Sequence, residues 1–222
     1  MTALRATVTW LGVGACVVYG TFAFDVGATE LSALVEQRPA RSSPVLFVIH
    51  AFAGGIALVV GPLQLALAPP RPRIRLHRIL GRTYVGAAWI TSAAGLGTAV
   101  AFDVGPAGTA AFALWSSLWF GTTTAALLHI RRRRIPQHRV WMVRSVALSL
   151  VFAVFSVVQP LLVGAGLPRA AAYPPAVLGS VLLVLAGSAL CGALPRRRVE
   201  SPAGAQAGSA FGVADAERHQ AG

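Results

Sequence analysis

The sequence predicts an all-α integral membrane protein of six transmembrane helices, the second to fifth forming a four-helix core. Three observations carry that expectation. Of 222 residues, 55% are hydrophobic and only 12% charged, about half the charge of an ordinary soluble domain, and mean hydropathy is +0.67. The apolar residues fall into six long runs almost free of charge, and the arginines gather in every second connection between them. A closed barrel would instead show strand segments of alternating polarity.

The runs are residues 6–24, 44–68, 83–102, 109–129, 140–164 and 173–194, each long enough to cross about 30 Å of hydrocarbon as helix. The first exceeds a signal-peptide core and has no A-x-A site before Asp25, so it is expected to be retained. Residues 1–198 are read as the transmembrane domain, with its core at 44–164. Residues 199–222, polar and without an apolar period, are read as a disordered cytoplasmic tail. Cys16 and Cys191 lie inside apolar runs, which supports neither a disulfide framework nor a cysteine-based zinc site.

All 19 basic residues are arginine, and the formal charge is +12. Arg71, Arg73, Arg75, Arg78 and Arg82 follow the second run, Arg131 to Arg134 and Arg139 the fourth, and Arg196 to Arg198 the sixth. The opposite connections hold only Arg38, Arg41 and Arg169, together with Asp25, Glu30, Glu36 and Asp103. Arginine is retained on the cytoplasmic side during insertion, so both termini are expected there. The clusters flank helices and suit anionic lipid headgroups, so the excess charge does not call for nucleic acid.

An arginine-rich turn, a His-Arg dipeptide and a helix occur twice, with His77-Arg78 in residues 44–102 and His138-Arg139 in residues 109–164. A parallel repeat would place His77 and His138 at one depth; recurrence of arginine-rich loops in any membrane protein explains the pattern equally well. His50 lies inside the second run above Gly54, Ala57 and Gly61. His77 stands over Gly81, Ala88, Ser92 and Gly95, and His138 over Met142, Ser145, Ser149 and Ser156. Imidazoles above small residues suit a porphyrin held between helices, and the same stripes serve plain helix packing. His77 and His138 are the candidate haem-iron ligands, with His50, Arg82 and Arg144 as further candidates for holding the cofactor.

Arg144 is the one formal charge inside the six runs, none of which contains Asp or Glu. An anionic ligand would satisfy it, as would snorkelling to the headgroups. His129, beside four arginines, is read as a surface residue and His219 as part of the tail. Gly61-Pro62 with Gln64, and Gln159-Pro160, interrupt helices and free carbonyls, with Gln159 at a depth to bond His50. No phosphate loop, Ser/His/Asp set, H-E-x-x-H or paired carboxylate is present, so hydrolysis and phosphoryl transfer have no sequence support.

His50, Gly61-Pro62-Leu63-Gln64-Leu65, His77-Arg78 with Gly81-Arg82 and Tyr84, and His138-Arg139 with Trp141-Met142 and Arg144 together resemble a bacterial membrane-protein family, domain of unknown function 2306, over about residues 44–164. The resemblance implies a multi-pass membrane protein and no established activity; the leading reading places it in the bacterial inner membrane. More loosely, histidines on successive core helices look like b-type cytochromes of the b561 kind. A two-haem conduit needs histidine pairs near both faces, whereas the outer half offers only His50, so at most one bis-histidine haem b follows. The leading expectation is a haem b electron-transfer protein with a membrane redox partner. The competing one is a cofactor-free transport, small-ligand-binding or scaffold protein.

Reporter fusions after residues 70, 105, 135, 168 and 200 are expected to read in, out, in, out and in. A periplasmic signal at 135 contradicts this topology.

Overall fold

The computed structural model describes residues 3–36, 43–67, 74–101 and 104–193, without the side chains of 3–11, 34 and 190–193. The tail expected from Val199, His219, the side chain of Cys191, and Arg38, Arg41, Arg71, Arg73, Asp103 and residues 196–198 lie outside that description. The helices belong to a unit spanning Met1–Gly192. They are α1 (Ala3–Val35), α2 (Pro44–Ala66), α3 (Ile74–Ala101), α4 (Gly105–Arg131), α5 (Ile135–Ser149), α6 (Val151–Gly164) and α7 (Arg169–Ala193). Six stretches are long and apolar enough to span a membrane, with α5 and α6 together forming the fifth, Ile135–Gly164. The described residues contain no strand, as the all-α expectation requires.

The helices tend to begin earlier than the apolar runs suggest, α3 and α5 by the most. α3 starts at Ile74 rather than 83 and α5 at Ile135 rather than 140, because arginine is a good helix former whose stem covers apolar surface while its head stays in water. Proline stands in the first turn of α2, α4 and α5, where its missing N–H costs nothing. As a result His77 and His138 each occupy the fourth position of their helix. α1 runs on past the expected end of the first run, so the candidate span Gly12–Ala33 contains Asp25 and Glu30, and Glu30 is only 5% exposed. The expectation that the spans are free of carboxylates therefore fails for α1.

α2, α3, α4 and α5 close a ring through the pairs α2·α3, α3·α4, α4·α5 and α2·α5, and α1 packs along α2. Gly20 and Gly55 permit that last contact. A Cβ on Gly20 would stand 3.2 Å from the Gly55 carbonyl oxygen and 2.6 Å from Val59, and one on Gly55 3.1 Å from the Gly20 oxygen. Without a hydrophobic force between helices in lipid, such close backbone approach is what makes them adhere. α6 meets α1 through Phe152, whose ring is 6.4 Å from both Tyr19 and Phe22. α7 meets α4 through Tyr173 and Phe112, 6.0 Å apart.

The break between α5 and α6 at Leu150 has an identifiable cause. The Trp115 indole N–H on α4 donates to the Leu148 carbonyl at 3.0 Å, while the Leu150 N–H turns back to Ala147 at 3.0 Å. Ser149, 1% exposed, also back-bonds to Val146 at 2.7 Å. A donor inserted from a neighbouring helix kinks the ladder and satisfies the carbonyl that lipid cannot.

α4 ends in a Schellman turn: the Arg134 N–H reaches the His129 carbonyl at 2.9 Å and the Arg133 N–H that of Ile130 at 3.0 Å. Arg133 sits at φ 57°, the position that glycine usually fills. Arg133→Gly is expected to raise stability by about 1 kcal/mol, since a non-glycine residue held in the left-handed region costs 1–3 kcal/mol. Thermal unfolding in detergent measures it, and a fall in stability would show that the Arg133 side chain does more than occupy the turn.

Candidate functional site

The polar groups of the interior follow a rule of spacing that is simple in retrospect. His77, Tyr84, Thr91 and Thr98 recur every seven residues on α3, so they form one stripe with about 10.5 Å between stations. Tyr84 and Thr91 are fully buried, and Thr98 is nearly so.

Tyr84 is the hub. Its hydroxyl lies 2.8 Å from Ser145 Oγ on α5 and accepts from the Trp119 indole of α4 at 3.3 Å; Ser145 Oγ lies 2.6 Å from Thr123 Oγ1. Thr123 donates to the Trp119 carbonyl at 2.8 Å. That last bond fixes the direction of all the others, because each hydroxyl has one proton to give. Trp119 donates to Tyr84, Tyr84 to Ser145, Ser145 to Thr123, and Thr123 back to Trp119. The chain is closed, and each bond polarises the next.

Thr91 forms a second closed unit with His50 of α2. The Thr91 hydroxyl donates to the His50 carbonyl at 2.9 Å, and His50 Nδ1 lies 2.9 Å from the Thr91 carbonyl oxygen. An acceptor that is a carbonyl requires the proton on Nδ1, which leaves Nε2 of His50 as a lone pair. The partner of His50 is thus Thr91 rather than Gln159.

The small-residue faces are filled by protein. A Cβ on Gly61 would stand 2.7 Å from the Tyr84 ring, one on Gly81 2.9 Å from Gln64 Nε2, and one on Gly95 3.1 Å from the His50 ring. Ser145, beneath His138, is taken by Tyr84 and Thr123. The groups that approach these glycines are the Tyr84 ring, the Gln64 amide and the His50 ring. An open cleft of about 590 Å³, lined by Val100, Ala101, Pro106 and Thr109 among others, lies at the opposite end of α3 from His77.

At the arginine-rich end the bonding changes character. His138 Nδ1 lies 2.8 Å from the Ala126 carbonyl oxygen on α4, so its proton is on Nδ1 and Nε2 stands open. His77 Nδ1, His129 Nδ1 and Gln64 Oε1 are buried without a hydrogen-bond partner. His77 lies within electrostatic reach of His138 and Arg139. Of the residues singled out in the sequence, His77 and His138 are therefore brought together, and His50 is held apart by Thr91. Arg82 is exposed on α3, and Arg144 lies 4.9 Å from the Trp141 ring centroid. His129, read as a surface residue, is half-buried and stacks on Trp141 at 6.4 Å. Among the described residues, no group of three or more His, Cys, Asp or Glu could hold a bare metal ion.

Tyr84→Phe keeps the ring against Gly61 but strands the Trp119 N–H, and is expected to cost about 1–3 kcal/mol. Thr123→Val should cost a similar amount. Because both cut one closed chain, the double variant should cost clearly less than the sum; additive losses in thermal unfolding would rule out the closed chain.

No curated protein and no solved structure is matched by this chain, so the looser likeness to b561-type cytochromes gains no support. The family described as "Predicted membrane protein (DUF2306)" matches residues 47–188, from His50 through Arg144 and on into α7. Its match takes in the whole four-helix ring together with the buried polar stripe and both His-Arg pairs, and the chain belongs to this family of membrane proteins.

Proposed function

We propose that the protein is a membrane-embedded haem b protein, its iron held between His77 and His138 at the arginine-rich end, and that it passes electrons to or from a membrane redox partner. The single observation behind this reading is the 2.8 Å contact of His138 Nδ1 with the Ala126 carbonyl oxygen. The His138 Nδ1–H is spent on that carbonyl, an arrangement that iron-binding histidines share, because it fixes the ring and presents Nε2. His77, in the equivalent position of α3, has an unpartnered Nδ1. Imidazole is a suitable axial donor, and bound haem supplies one-electron chemistry. The filled glycine faces restrict a macrocycle to the end of the bundle, where exposed Arg82 and Arg139 provide positive charge for its carboxylates. The same arginine asymmetry supports a bacterial plasma-membrane location with both termini cytoplasmic.

A second reading is favoured by those filled faces: a cofactor-free small-ligand-binding, transport or scaffold protein, its interior closed by its own side chains. Buried Glu30 in α1 removes the argument that carboxylates are missing from the spans. Protein purified from haem-supplemented cells is expected to show the sharp reduced absorption bands of haem b, abolished in His77→Ala and in His138→Ala and retained in His50→Ala. A featureless visible spectrum in the folded wild type would leave the cofactor-free reading standing.

A further inference from the structure

The α4–α5 corner carries a second constellation that goes beyond the haem reading and does not depend on it. Trp141 lies one turn before Arg144 on α5, and the Arg144 guanidinium carbon is 4.9 Å from the indole centroid. The same indole is stacked on His129 of α4, with ring planes 11° apart and centroids 6.4 Å apart. Cation–π contact engages the face of a guanidinium and leaves its N–H edge free to bond. No carboxylate of the described residues pairs with that edge. Indeed, from Pro44 to Ala193 the chain has twelve arginines and one acid, Asp103. His129 Nδ1, on the other member of the stack, is also buried without a partner. Four consecutive arginines, 131–134, occupy the adjoining turn, which tolerates Arg133 in the left-handed conformation.

We propose that Arg144, presented by Trp141 and His129, binds the phosphate group of an anion at the arginine-rich end, within the positive field of the Arg131–Arg134 turn. The guanidinium edge matches two phosphate oxygens at once, which an ammonium does not. Arg144 is the tenth residue of α5, about 13 Å along the axis from its start. Its side chain leans back toward that start, which brings it to the level where a phospholipid of the adjacent leaflet carries its phosphate. A soluble phosphate reaches the same edge only past the arginine turn, so the two sources are separable.

The test is native mass spectrometry of the full chain in detergent with added phosphatidylglycerol, phosphatidylcholine as the zwitterionic comparison whose choline ammonium offsets the charge of its phosphate, and inorganic phosphate as competitor. Wild type should retain phosphatidylglycerol over phosphatidylcholine. Arg144→Leu should lower that retention about tenfold or more, the size of one lost charge-assisted contact. Arg144→Lys, which keeps the charge but not the paired edge, should fall between them and serves if the leucine variant does not fold. Trp141→Leu should weaken retention as well. Displacement by millimolar inorganic phosphate would assign the site to soluble phosphate, and its absence to lipid. Retention unchanged from wild type in folded Arg144→Leu, or in Arg144→Lys where only that variant folds, overturns the proposal.

Discussion

Hydrocarbon offers no hydrogen bonds, so every polar group placed inside it must be answered by another part of the chain. The Tyr84 hydroxyl is where this constraint is met with the most at stake. It joins α3, α4 and α5 through one closed chain of donors, and much of the geometry around it follows. Gly61 must lack a side chain because the tyrosine ring stands where a Cβ would go. Ser145 must lie on the inner face of α5, and the register between α4 and α5 that puts it there also aims Trp115 at the Leu148 carbonyl. The kink of the fifth span is then a consequence of the same register rather than of a proline, since Pro160 lies well beyond it.

The helices were legible in the sequence and their beginnings were not. Apolar runs report where lipid is, whereas helices extend as far as backbone bonding and side-chain reach allow. Arginine hides the first turns of α3 and α5, because Arg75, Arg78 and Arg139 read as loop in a hydropathy scan and as good helix formers in a backbone one. That difference decides the chemistry of His77 and His138. Both are helical, at matching positions, where they would otherwise be loop residues free to turn to water. In α1 the other end is missed: Asp25 closes the apolar run by its charge, yet the helix runs on to Val35 and Glu30 within it is buried.

The polar hub was present in the sequence as a period and passed unnoticed. Tyr84, Thr91 and Thr98 repeat His77 at intervals of seven, but single hydroxyls inside apolar runs ordinarily bond their own helix, as Thr122 and Ser180 do here. Only the positions of Ser145 and Thr123 on other helices convert the stripe into a network, and those are tertiary facts. The same holds for the glycine faces. A stripe of small residues states that something approaches closely without stating what, and here the visitors are Tyr84, Gln64 and His50.

Whether a buried polar network carries function turns on whether it ends anywhere. The Tyr84 chain begins on the Trp119 N–H and returns to the Trp119 carbonyl, and the His50–Thr91 pair exchanges its bonds reciprocally. The Tyr84 chain offers a proton no exit, and the His50–Thr91 pair leaves only Nε2 of His50 open, so both act to lock helices in register; a relay across the membrane would instead need chains with two open ends. Among the described residues, the Ser92 hydroxyl is buried without a partner in the middle of α3, and three more such groups stand at helix ends: Gln64 in the last turn of α2, His77 in the first turn of α3 and His129 in the last of α4. These three helix ends adjoin the boundary where arginine is abundant. Unpaired donors and acceptors are expensive in lipid and tolerable only beside a partner that comes and goes. The bundle bonds most of its middle to itself, Ser92 excepted, and leaves more unpartnered groups at its arginine-rich end, which is where a ligand has something to complete.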